Sequence, residues 1–238
     1  MTPAFAYLQS RLQAQYGQRL DEQGWRRLEL VAPYRLFLKS ARETTLAPWL
    51  LAISDEDNVA VLEHRLREAL HHSVVRTALW CPGEWRAAVH WTSQLWLLPA
   101  WQQQWQGEPL PAGLVLADTA TVAPLQQAWQ AGTPLLTAWL THWRSLWPPL
   151  AKTERNRLER LIQIFQTHAD QFAELPDSNA ARLARQQLQQ RLAGLFRQQA
   201  GQPVALFVYL ARMALDFERL RGGLLLRALY HANEGEAA

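Results

Sequence analysis

Apolar side chains recur at three- and four-residue intervals along nearly all of this chain, and proline and glycine supply most of the interruptions. That period places apolar residues on one stripe of an α-helix, whereas a half-buried strand needs strict alternation. Phe5, Leu8 and Leu12 begin the pattern, with Tyr16 on the same face and Gln9, Arg11, Gln13 and Gln15 between them. Val59, Leu62, Leu66 and Leu70 continue it, interleaved with Glu63, Arg65, Arg67 and Glu68. No sustained alternation occurs, no Asn-Gly or Asp-Gly hairpin turn is present, and the short run Leu114-Val115-Leu116 has no pairing partner. The expected fold is all-α, a multi-helix bundle of two similar lobes forming a funnel-like or elongated body.

The punctuation sets the expected elements. A helix from about Trp25 to Lys39 is bent or interrupted at Pro33. Asp55 is the expected N-cap of the Val59 to Leu70 helix. Cys81-Pro82-Gly83 opens a helix carrying Trp85, Val89 and Trp96 before Pro99. Gly132-Thr133-Pro134 breaks the Trp-rich stretch from Leu125 to Trp147, which Pro148-Pro149 ends. Three helices follow, from about Thr153 to Phe172, Asp177 to Gln199 and Pro203 to Leu229. Gly107 to Gly113, with Pro109 and Pro111, reads as a linker. The expected division is an N-terminal helical lobe over 1–106, a linker over 107–117 and a C-terminal helical lobe over 118–238. Residues 38–50 and 128–140 echo each other, a helical segment followed by Thr and then Trp-Leu, with a one-residue slip.

Composition narrows the function classes. The 238 residues are 49% hydrophobic and 19% charged, the balance of a folded globular chain. No apolar run approaches the roughly 18–20 residues of a membrane-spanning helix; Pro203 to Leu215 is too short and is interrupted by Arg212. Met1 to Phe5 lacks the basic and apolar regions of a signal peptide, so a cytoplasmic location is expected. Cys81 is the single cysteine, which excludes an internal disulfide and a cysteine-based zinc site. The net charge of +3 permits a nucleic-acid partner without arguing for one.

Chemistry-bearing patterns are sparse. Glu63, His64, Glu68, His71 and His72 cluster, and Glu68 and His71 share a helical face at Glu-x-x-His spacing. A di-iron bundle needs a second such pair and further carboxylates, which the chain lacks, so a solvated face is the favoured reading. No His-Glu-x-x-His, Gly-x-Ser-x-Gly or phosphate-loop pattern occurs, and no catalytic residue, cofactor or metal is expected. Gly222-Gly223 inside the last helix points to close packing or a bend. The twelve tryptophans suit core packing, though exposed Trp and Arg also build protein-binding hot spots. Arg182, Arg185, Arg191, Arg197, Arg212, Arg219, Arg221 and Arg227 outnumber Asp216 and Glu218 over the same span. They read as a solvated surface or as a patch for an acidic partner.

Four segments resemble the C subunit (subunit d) family of V-type and archaeal-type rotary ATPases. They are the aromatic-led opening Phe5-Ala6-Tyr7-Leu8-Gln9-Ser10-Arg11-Leu12, the Leu38 to Trp49 and Leu125 to Trp139 segments, and the closing pattern. In that last pattern Val204 to Leu215 leads into Glu218-Arg219-Leu220-Arg221 and Leu224-Leu225-Leu226. The family is longer, with three helical lobes, so this chain resembles a shortened, divergent member. The resemblance implies a non-catalytic central-stalk subunit linking the rotor shaft to the membrane ring for proton or sodium transport, peripheral on the inner face of the cell membrane. Its implied partners are the central-stalk subunits and the membrane rotor ring, with no nucleic acid and no direct membrane span. It makes Tyr7, Arg11, Glu218 and Arg221 the partner-binding candidates. Two other readings stand beside it: a helical protein-binding adaptor or secretion-system accessory unrelated to ATPases, and a metal-dependent enzyme using the His64 to His72 face.

Overall fold

The structure, a computed structural model, describes residues 3–110, 114, 116 and 119–236. The fold is all-α, and no strand occurs among the described residues. The helices are α1 (Pro3–Gly17), α2 (Glu22–Glu29), α3 (Tyr34–Arg42), α4 (Val59–Trp80), α5 (Gly83–Thr92), α6 (Leu98–Trp105), α7 (Ala123–Gln130), α8 (Leu135–Ser145), α9 (Lys152–Ala173), α10 (Ser178–Gln198) and α11 (Pro203–Glu236). Short 3₁₀ turns lie at Ala47–Trp49, Leu95–Leu97 and Thr119–Val122.

Local chemistry explains most of the boundaries. Asp21 caps α2 by accepting from the Gly24 N–H at 2.7 Å, and Asp177 caps α10 by accepting from Ala180 at 2.8 Å. Pro33 precedes Tyr34, so the expected Trp25 to Lys39 helix is two helices rather than one bent one. The α4 cap is Asn58, which accepts from the Val61 N–H at 2.9 Å; Asp55 instead pairs with Arg35 at 3.3 Å. Thr92 and Ser93 return their hydroxyls to the carbonyls of Val89 and His90, each at 2.7 Å, where α5 ends. Pro99 therefore sits in the first turn of α6 instead of ending a helix through Trp96. Gly132 takes φ +78° between α7 and α8, a conformation that costs glycine little.

The chain forms two compact units, each assembled from separated segments. The first comprises residues 1–18, 80–82 and 148–219; the second comprises 19–79, 83–147 and 220–238. Neither follows the expected lobes, and of the expected linker, residues 111–113, 115 and 117 lie outside the described residues. In the first unit Leu8 and Leu12 of α1, Leu158 and Leu161 of α9, Leu192 and Phe196 of α10 and Leu206 of α11 are buried. In the second, Phe37, Leu62, Leu66, Trp85, Trp101, Leu125 and Leu224 are buried. Each such side chain contributes about 1.5–3 kcal/mol by leaving water.

A tryptophan knot joins α5 to α8 in the second unit. Trp91 donates its indole N–H to the Trp139 carbonyl at 3.2 Å, and Trp139 returns the bond to Trp91 at 3.3 Å. Trp143 donates to Ala88 at 3.1 Å, and the Trp139 and Trp143 rings stack with centroids 5.5 Å apart. Such donors cannot be buried cheaply without an acceptor, so these bonds fix the register of the two helices. None of the twelve tryptophans is exposed. The echoed segments part company here: Trp49 ends a 3₁₀ turn and donates to Ser73 at 2.9 Å, while Trp139 lies inside α8.

Candidate protein-interaction site

Tyr7 and Arg11 stand one turn apart on α1, the spacing that aligns side chains on one helical face. Tyr7 is 57% exposed, with its aromatic ring largely in water. Arg11 lays its guanidinium over the Trp80 ring at 4.9 Å, where the ring's negative face attracts it. Glu218 is exposed on α11 and belongs with Tyr7 and Arg11 to the first unit. Arg221 belongs to the second, so the four candidates divide three and one between the units.

Arg221 is committed inside its own unit. It forks onto Glu63 of α4, with Nε at 2.8 Å from Oε2 and Nη2 at 2.8 Å from Oε1. Arg67, one turn along α4, approaches Glu63 Oε1 at 2.7 Å through Nη2 and also donates from Nε at 2.9 Å. The Glu63 side chain is only 16% exposed. Burial alone would raise its carboxyl pKa, but the hydrogen bonds and charges of Arg221 and Arg67 outweigh that and hold it below the ordinary range. Two guanidiniums thus engage Glu63.

The remaining polar groups of that face are spread out. His64 and Glu68 approach to 3.6 Å, and the rings of His71 and His72 lie 6.2 Å apart. Burial depresses the His71 pKa, and the neighbouring His72 and His90 add to the effect. Among the described residues, no group of three or more His, Cys, Asp or Glu side chains is arranged to hold a metal ion.

The arginines of the C-terminal helices sort into two kinds. Arg212 lies 4.5 Å over the Tyr16 ring, which stacks on Phe196 with centroids 4.4 Å apart and planes 9° from parallel. Arg227 donates to the carbonyls of Val31 at 2.7 Å, Glu29 at 2.8 Å and Gly223 at 2.9 Å. Its guanidinium also faces the Phe37 ring at 4.1 Å. It thereby supplies donors to the orphan carbonyls where α2 ends. Burial lowers the Arg227 pKa from its usual value, and the Glu29 charge partly restores it. Arg182, Arg185, Arg191 and Arg197 are instead exposed on α10.

Of these groups, the Glu63–Arg67 pair was readable from its four-residue spacing. The arrival of Arg221 from 158 residues away, and of Arg227 at α2, left no local signal. No helix among the described residues is long and apolar enough to cross a membrane. Comparison with protein-family models, curated proteins and solved structures finds no match to the chain.

Proposed function

We propose that this chain is a non-catalytic central-stalk subunit of a V- or A-type rotary ATPase, seated between the rotor shaft and the membrane ring on the cytoplasmic face. The observation that carries the reading is the meeting, within the first unit, of α1 with the part of α11 up to Arg219, two segments whose sequences resemble that family. Gln9 of α1 accepts from the Gly201 N–H at 2.8 Å just before α11 begins, and Arg212 of α11 covers Tyr16 of α1. These contacts tie the opening and closing motifs together, as a helix pair presented to partners requires. In this reading Tyr7 and Glu218 offer exposed side chains to a partner, while Arg11 and Arg221 hold the helices that carry the surface. Such a subunit transmits torque, which calls for stiffness, and the indole bonds between α5 and α8 support that property.

The test is mass spectrometry of what co-purifies with a tagged copy from gently solubilised native membranes. Recovery of catalytic ATPase subunits, a coiled-coil stalk protein and a small ring protein is expected. Clean recovery from the soluble fraction with none of them refutes the proposal.

A further inference from the structure

We infer that the outer face of α10 is a docking surface for an acidic amphipathic helix of a partner protein. Charge gives the first argument. The first unit carries eleven Lys and Arg against seven Asp and Glu, whereas the second carries thirteen against fourteen. α10 alone holds four arginines and no acidic residue, enough to account for the whole imbalance. Among the described residues none of these four arginines forms an ion pair. Arg182 reaches Asn179 at 2.8 Å and Arg185 covers Phe172 at 5.0 Å, contacts that leave their charge uncompensated.

Helix geometry gives the second. Leu188, Leu192 and Phe196 define the buried stripe of α10. At about 100° per residue, Leu183, Gln187, Gln190, Arg191, Gly194 and Arg197 fall within about 60° of one line on the other side. From Leu183 to Arg197 that face runs roughly 21 Å, about four turns. Leu183, 46% exposed, adds an apolar anchor at one end.

Gly194 gives the third. A Cβ there would meet nothing within 4 Å, so no packing within this chain calls for a glycine. A glycine inside a helix is costly relative to alanine. Absence of a side chain between Arg191 and Arg197 leaves a shallow saddle where a second helix can approach closely, with a guanidinium on either side to receive its carboxylates. Arginine without lysine, an exposed leucine and a glycine saddle suit a protein helix better than a nucleic acid. Every tryptophan is at least partly covered, which leaves no open indole platform for bases. This docking face stands on charge and packing alone, whatever assembly the chain belongs to.

The probe is a fluorescein-labelled helical peptide of Leu-Glu-Glu-Ala repeats, titrated with the full chain and read by anisotropy at low and physiological salt. Three variants are compared: Arg191→Glu/Arg197→Glu, Gly194→Gln, and the charge-matched control Arg76→Glu/Arg86→Glu on exposed positions of the second unit. Circular dichroism confirms that each is folded. The expected result is saturable binding, weakened about tenfold or more by the α10 double change and several-fold by Gly194→Gln, with the control close to the parent protein. Absence of peptide binding at low salt, equal loss in the control, or retention in both α10 variants overturns the inference. Tighter α10-dependent binding of a single-stranded oligonucleotide than of the peptide overturns it as well.

Discussion

Adjacent glycines in α11 should respond to the same substitution with opposite signs. Gly222 is exposed and a Cβ added to it would meet nothing within 4 Å, so Gly222→Ala gains only the helix propensity of alanine, about 1 kcal/mol. At Gly223 the new Cβ would lie 2.9 Å from Cζ of Phe37, well inside van der Waals contact. The ring has little room to retreat: Phe37 is 1% exposed, and the Arg227 guanidinium, itself tied to three carbonyls, lies 4.1 Å from its centroid. Overpacking of this kind costs about 1–3 kcal/mol. Setting the propensity gain against it leaves Gly223→Ala between roughly neutral and 2 kcal/mol destabilised, so the two variants should differ by about 1–3 kcal/mol. Thermal unfolding followed by circular dichroism resolves this, because each kcal/mol moves the midpoint of a chain this size by about 2–4 °C. In a Phe37→Leu background, which removes Cζ, the gap should shrink, and the double-mutant cycle isolates the Phe37 contact. A Gly223→Ala protein as stable as Gly222→Ala would refute the packing argument.

Three further outcomes follow from the polar contacts of the second unit. Glu63→Gln removes the charge shared by Arg67 and Arg221 and should cost about 1.5–3 kcal/mol at neutral pH. Because the folded pKa of Glu63 lies below its usual 4.5, that stabilisation is present above this value and disappears as pH falls through the folded value; urea midpoints of parent and variant should therefore converge in acid. Arg227→Met keeps the apolar stem but abandons the carbonyls of Glu29, Val31 and Gly223, and hydrogen exchange should show α2 losing protection before α9. His71 should titrate below 6.5 in NMR spectra; His90→Ala removes one of the charges depressing it and should shift its midpoint upward. An unchanged midpoint would exclude His90 as a contributor.

Most helices were legible because a three-to-four-residue period survives whatever a helix packs against. Gly132, Asp177 and Pro203 mark boundaries for local steric and hydrogen-bonding reasons, and the structure agrees at each. The α4 cap was not legible because the run Ser54-Asp55-Glu56-Asp57-Asn58 offers several acceptors. Tertiary partners choose among them: Arg35 takes Asp55 and Arg65 takes Asp57 at 2.7 Å, leaving Asn58 to the helix. Proline at 99 was ambiguous in the same way, since it can end one helix or begin the next. At the candidate site, the exposed arginines of α10 and the engaged ones of α11 are identical as letters. What separates Arg191 and Arg197 from Arg212, Arg221 and Arg227 is whether a carboxylate, ring or carbonyl from a distant segment reaches the guanidinium. The alternation of the chain between two units defeats any division of the sequence into consecutive lobes.

That alternation also sets the order in which the protein can be completed as it leaves the ribosome. Gln9 meets the Gly201 backbone 192 residues later, and Phe196 and Arg212, the partners of Tyr16, are made at about the same stage. At about 5–20 residues per second, α1 waits roughly 10–40 s for these contacts from α10 and α11, whereas Trp80, which Arg11 covers, is made earlier. The nascent chain therefore holds the apolar stripe of α1 incompletely covered for most of its synthesis, which makes α1 a natural handle for chaperones.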